Sequence, residues 1–359
     1  MRRAQTIRLE RRTFIAVSAA ATIPTMPATA DPPQTTANGR EVGQSCNTVV
    51  WRTVISAPTD LPALNGHTDT VPDIIGRLGA PVDLAIFTEG NHFPVLLSDE
   101  IIEPFRAWTK EEPEHAQLAL DNIVVVTLPQ PIIVSMLIRQ GISLGNLTLE
   151  VSRASGFYPD IVMGGAAPLA QLHKATIIES KARVFARNRG FSLMVAADNS
   201  LGVRCLDDLD QPGIRVVMAG ENEPGARRQY ISALQQLMGE EATRSILGRE
   251  TTSFPGRLGI QHRDVLQAIA TRAADVGIIF HHLARYYATT YPQLCSMVEV
   301  PGAERFSSTI ALAATIDPPR ALAAKAFSQF FLEVAREIYP RYGFAFMGEA
   351  DFGAEILLE

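Results

Sequence analysis

Glu89 and His92 stand three residues apart, and His281 and His282 are adjacent at the end of an apolar run. A carboxylate beside an imidazole is the usual acid–base pair, so Glu89 or Asp160 with one of these histidines could serve a hydrolase. Imidazoles and carboxylates also suit zinc or a similar ion. Adjacent histidines at a strand end, however, point in opposite directions and rarely share one ion. The expectation is that one of His281 and His282 lines a cleft and hydrogen-bonds a solute while the other lies on the surface. Ser253, in Thr251–Pro255, lacks the G-x-S-x-G context of an activated nucleophile. Cys46, Cys205 and Cys295 have no C-x-x-C spacing; they allow at most one intrachain disulfide, whose pairing the sequence does not choose. The residues therefore imply no catalytic group, no metal centre and no cofactor. The reading is a non-enzyme, with an exported hydrolase as its rival.

The element that positions Glu89 and His92 is Asp83–Leu97. An apolar run suited to a buried strand, Asp83–Phe87, enters the polar knot Thr88–His92, and apolar residues resume at helical spacing from Pro94. The same strand, turn and helix pattern recurs. Ile123–Leu128 leads through Gln130 into 132–139, Asp160–Met163 through Gly164 and Gly165 into 166–174, and Ile214–Met218 through Glu223 and Gly225 into 226–238. In a parallel α/β sheet such turns share the carboxyl edge, where first-turn N–H groups have no intrahelical acceptor. Several helix starts converging there suit a small anionic or strongly polar solute.

The whole chain has 359 residues, enough for two domains, and a formal net charge of -6 without a basic stripe, which argues against nucleic acid as a partner. Arg2, Arg3, Arg8, Arg11 and Arg12 against Glu10 give residues 1–30 a charge of +4, and removing them leaves -10. An uncharged segment follows and closes on Ala28–Thr29–Ala30. That order is a secretory signal, and Arg11–Ile15 resembles the twin-arginine type. The expected product is cleaved near Ala30, soluble and periplasmic.

Further along, Thr48–Ser56 reads as a strand and Val71–Leu78 as a helix with Pro72 in its first turn. Asp99–Glu114 reads as a surface helix and Gly145–Val151 as a strand; Arg153, Ser155 and Tyr158 sit in a loop from which they could reach a cleft. Ala182–Ala197 is long and extended, broken at Asn188–Gly190, as a crossing between two domains requires. Val298–Ala313 is an extended return, and Arg320–Tyr339 carries an apolar stripe that suits a C-terminal helix packed on a core. The expected organisation is a signal at 1–30, one lobe from 31–190 with 298–359, a second lobe at 191–297, and a cleft that closes between them.

Five landmarks in order carry a resemblance over about 160 residues. They are Phe185–Arg189 running into Leu193–Val195, then Leu206–Leu209, Glu223–Gly225 before Tyr230, Ala274–Phe280, and Tyr342–Phe344. Together they resemble the type II periplasmic solute-binding proteins of ABC importers, most of all the molybdate, tungstate and sulfate group. The resemblance implies a two-lobed α/β fold, each lobe a sheet flanked by helices, with the ligand held between the lobes by backbone N–H groups and small polar side chains. It implies a monomer that delivers a molybdate- or tungstate-like oxyanion to a membrane permease. An exported hydrolase-type enzyme, or a periplasmic sensor binding an organic acid or metal ion, is the alternative. The resemblance implies Thr88 and Gly90, Gln130, Glu223 and Gly225, and Phe280 as ligand-binding residues, and the reading of the turns and strand ends adds Asn91, Gly164, Gly165 and His281. Glu89 departs from the small, serine-bearing turn of the family. It would repel a dianion unless turned away or paired with an arginine.

Overall fold

A computed structural model describes residues 72–144, 147–257 and 259–359. The signal segment, Cys46 and the strand expected at 48–56 lie outside them.

The chain runs β1 (Asp73–Ile75), β2 (Leu84–Thr88), α1 (Phe93–Leu96), α2 (Ile102–Glu111), β3 (Ile123–Thr127), α3 (Gln130–Arg139), β4 (Gly141–Leu144) and β5 (Leu147–Glu150). It continues through β6 (Ile161–Gly164), α4 (Ala166–Lys174), β7 (Lys181–Arg187), β8 (Phe191–Ala196), β9 (Val216–Met218), α5 (Pro224–Met238), α6 (Glu240–Leu247) and α7 (His262–Ala270). Last come β10 (Val276–Phe280), α8 (His281–Thr290), β11 (Cys295–Val298), β12 (Thr309–Ala314), α9 (Ala321–Arg341) and β13 (Glu355–Leu357).

Seven strands form one sheet in the order β1-β3-β2-β6-β12-β7-β13, and four form a second in the order β11-β8-β10-β9. Within the larger sheet β3, β2 and β6 are parallel neighbours, so the residues after Thr88, Thr127 and Gly164 emerge at one edge. Within the smaller one β9 and β10 are parallel, and Phe191 pairs with Phe280, which brings the chain crossing to the edge where β10 ends. These strands are buried on both faces, as their unbroken runs of Val, Ile and Leu require.

Each sheet has its own core. Leu84, Ile86 and Phe185 pack against Phe327 and Phe331 of α9 on one face of the large sheet, with Phe87, Val124 and Ile133 on its other face; Leu193, Val217, Tyr230 and Ile278 fill the core of the small sheet. Asp160, fully buried, ties the large lobe together. Its Oδ2 accepts from Arg320 Nε at 2.7 Å and from Ala85 N at 2.8 Å, and its Oδ1 from Arg320 N at 2.9 Å.

Two crossings join the lobes, at 188–190 and 299–308, and they are bound to each other. Asn188 Oδ1 accepts from Ser308 N at 3.0 Å and from Gly190 N at 3.2 Å, while its Nδ2 donates to Ser308 Oγ at 2.6 Å. Gly190 has φ +69°, and a Cβ built on it falls 1.8 Å from Ala303 O. Only glycine fits.

Several local expectations change. Val71–Leu78 is not a helix where described: Asp73–Ile75 is an edge strand antiparallel to β3, held partly by Thr127 Oγ1, which donates to Asp73 Oδ2 at 2.7 Å. The helix expected from Pro94 is the single turn α1, preceded by a 3-10 turn at Gly90–His92. The return at 298–313 is interrupted by a 3-10 turn at Ala303–Phe306. Arg153 does not reach toward a cleft; it donates to the carbonyls of Ile316 and Asp317 and lies over the Tyr158 ring. Cys205 is exposed and Cys295 buried, both as free thiols.

Candidate functional site

Three turns meet at the carboxyl edge of β3, β2 and β6. Gln130, at the start of α3, donates through Nε2 to Glu89 Oε2 at 2.5 Å. Its amide lies against Gly164: a Cβ there would be 2.5 Å from Gln130 Nε2, and a Cβ on Gly165 would be 3.5 Å from Gln130 Oε1. Thr88, on the α9 side of β2 with Leu84 and Ile86, is fully buried with its Oγ1 unpartnered among the described residues. Gly90 faces the other lobe, for a Cβ on it would lie 3.5 Å from Arg263 Nη2 of α7.

The smaller lobe answers with a second carboxylate. Glu223, the residue before α5, accepts from His262 N at 3.3 Å, and its Oε2 contacts His262 Nδ1. Tyr230 Oη lies 2.7 Å from His262 Nε2. Burial, reinforced by the charges of Glu223 and Glu89, raises the Tyr230 pKa well above its usual value, so the phenol stays protonated beside His262. Each lobe thus presents a carboxylate beside a histidine, Glu223 with His262 and Glu89 with His92. In the second pair Glu89 Oε1 lies 3.2 Å from His92 Nε2 but out of line for a hydrogen bond, which leaves both ring nitrogens of His92 without such a bond. Among the described residues the hydrogen-bond partner of Glu89 is Gln130 rather than an arginine.

His281 and His282 open α8, and both are buried. The expectation that one of them lies on the surface fails because α8 starts directly at the end of β10, without a loop to carry either ring outward. His281 Nδ1 is 3.0 Å from Ser192 Oγ and its Nε2 is 3.3 Å from Arg189 Nη1. A guanidinium only donates, so Nε2 accepts; burial, with Arg189 adding to it, lowers the His281 pKa. His282 has no hydrogen-bond partner among the described residues. Its ring stacks on Phe280 at 5.6 Å and on Phe344, from the larger lobe, at 4.0 Å. Beyond these, Phe280 stacks on His262 at 4.8 Å and Phe344 on His92 at 6.0 Å, giving a run of five rings from one lobe to the other.

Of the ten residues expected at a site, Thr88, Gly90, Asn91, Gln130, Gly164 and Gly165 gather at one edge, and Glu223, Phe280 and His281 at the edge of the other sheet. Gly225 is exposed, with open space where a Cβ would stand. Arg227 is not available to an anion: it forms a bidentate pair with the buried Glu250, at 2.6 and 2.9 Å, and a further contact with Glu221. Sequence reasoning did not place His262, Arg263, Tyr230, Tyr339 or Phe344 at this seam. The short spacing from Gln261 to Asp264, a capping box that fixes the start of α7, is the signal that could have pointed to His262 and Arg263. Concavities of about 530 and 310 Å³ have linings that include none of the ten, but the first is lined by Phe344 of the seam together with Arg187, Arg189 and Glu304.

Residues 100–345 match the family model described as bacterial extracellular solute-binding protein. Among solved structures, a substrate-binding protein of an ABC transporter from Agrobacterium tumefaciens superposes with a TM-score of 0.53 at 10% identity, over 78% of this chain and 84% of its own. The sulfate-binding protein SubI of Mycobacterium tuberculosis superposes with a TM-score of 0.50 at 16% identity, over 74% of this chain and 88% of its own. At these identities the likeness is one of fold. No curated protein matches in sequence.

Proposed function

The chain belongs to the bacterial extracellular solute-binding protein family, and from that premise we propose that it captures a small solute between its two lobes and delivers it to an ABC permease. The first 30 residues act as a twin-arginine export signal cleaved near Ala30, and the monomer works in the periplasm. One lobe comprises 31–190 with 298–359 and the other 191–297. The observation that carries this reading is the meeting of Glu89, Gln130 and Gly164 from three successive turns, with Gly90 facing Arg263 across the seam. A cleft whose walls come from both lobes rewards closure, because contacts to both exist only in the closed form.

A molybdate- or tungstate-like oxyanion is the first solute class. It is supported by the starts of α3, α4 and α5 at the strand ends, where Pro131, Pro168 and Pro224 each remove one first-turn N–H donor and leave the others. A cationic solute is the second class, favoured by Glu89 and Glu223, each only 17% and 16% exposed.

Thermal unfolding against molybdate, tungstate, sulfate, small organic acids, organic amines and divalent metals separates these classes. A solute at 100 times its Kd adds about 2.7 kcal/mol to stability. A shift with oxyanions alone supports the first class, and a shift with amines or metals alone supports the second. If nothing in the panel shifts the midpoint, the proposal of a small-ion carrier is wrong and a sensor or hydrolase handling other solutes takes its place.

A further inference from the structure

Phe344 lies between two histidines that have no hydrogen-bond partner among the described residues, one from each lobe. His282 of α8 stacks on it at 4.0 Å with planes 22° apart, and His92 stacks at 6.0 Å with planes 5° apart. His92 is fully buried and His282 is 3% exposed. The chain is shaped to permit this approach. Gly343 has φ +93°, and a Cβ on it would come within 3.1 Å of His282 Cα, so the turn after α9 reaches α8 only as glycine. Thr88 Oγ1 and Tyr339 Oη, both buried in the same region, also have no hydrogen-bond partner among the described residues. A buried polar atom left unpaired is expensive, and an element that carries several is poised to come apart when one of them gains charge.

We propose that His282 is a proton-operated clasp between the lobes: neutral, it completes the stack from Phe280 to Phe344, and protonated it releases Phe344 and opens the cleft. The inference rests on the two-lobed carrier described above and adds to it a way of discharging solute in mildly acidic surroundings.

The groups facing His282 favour this direction. On its own helix stand His281 and Arg285. Across the seam His92 has Glu89 beside it, and Tyr339 lies against Phe344. From α7 comes His262, whose partner is Glu223, and from α5 Tyr230. Both carboxylates are directed to the other histidines, so an imidazolium at position 282 has three imidazoles near it. Burial together with His92, His262 and His281 depresses its pKa. In the open form the ring meets water and titrates at about 6.5. The open form therefore binds more protons, and closure is complete above about pH 6.5 and is lost as pH falls below it, by up to about tenfold per pH unit for one proton.

Small-angle scattering of the whole solute-free protein between pH 8 and 5 tests this. The wild type is expected to expand below about pH 6.5, and His282→Phe, which keeps a ring in the stack and cannot titrate, is expected to stay compact throughout. Should His282→Phe not fold, His282→Leu is read in its place. Expansion of the variant at the wild-type pH, or no expansion of the wild type, overturns the clasp. Because no solute is present, the result is independent of the thermal panel: a working clasp with no solute shift refutes only the carrier's proposed solutes, and the converse refutes only the clasp.

Discussion

Arg263 Nη2 lies 3.1 Å from Asp73 Oδ2, an ion pair between the first turn of α7 in one lobe and the edge strand β1 in the other. The carboxylate is already oriented by Thr127, and the guanidinium borders Gly90. With both side chains about a third exposed, at 27% and 30%, the pair is worth ~0.5–1 kcal/mol. Asp73→Asn should weaken solute binding about two- to fivefold, mainly through faster release, with little change in Tm. Stopped-flow dissociation rates check this, and an unchanged off-rate removes the pair from any role in closure.

Gly190→Ala places a methyl group against Ala303 O in a backbone conformation that favours glycine. The expected loss is ~3–5 kcal/mol of stability, read from urea unfolding, and larger than for any loop glycine with open space, such as Gly213.

Charge at the cleft discriminates the solute. Glu89→Gln and Glu223→Gln each remove one negative charge while keeping shape. For an oxyanion both should bind more tightly than the wild type; for a cation both should bind more weakly, by tenfold or more. Calorimetric titration with the solute found in the thermal panel gives the sign. A change in only one of the two variants would show that only one carboxylate faces the solute.

Burial pushes the Cys295 thiol up to about 11, from an ordinary value of 9.0. The unfolded thiol ionises first as pH rises, so this group's contribution is intact below pH 9 and is lost between about pH 9 and 11. Cys295→Ala should flatten that alkaline decline in Tm. In a Cys46→Ser background at pH 8, a water-soluble thiol reagent should modify Cys205 rapidly and Cys295 only on unfolding.

The strand-to-turn units were legible because their signals are local. Leu84–Thr88, Ile123–Thr127 and Val276–Phe280 are short apolar runs with polar punctuation, and such runs become buried parallel strands in their own right. The break at Asn188–Gly190 was legible for the same reason, since a glycine interrupting an extended run marks a backbone that must bend. What escaped depends on distant partners. Asp73–Ile75 is a strand only because β3 pairs with it, and Pro72 with a short apolar run reads equally as a helix start. Glu355–Leu357 joins the sheet only through β7. Arg227 is fixed by Glu250, a partner that no local signal announces, and nothing in the sequence near Phe344 marks it as the ring that separates His92 from His282.

Asn188 binds the two interlobe crossings into one strap through Ser308 and Gly190. Two loose tethers would let the smaller lobe both twist and tilt, whereas a laced pair leaves it a single pivot. The proposed opening then has one coordinate, and relaxation after a jump in pH or solute concentration should follow one exponential. Cutting the lacing with Asn188→Ala should turn that single phase into several while leaving each sheet intact.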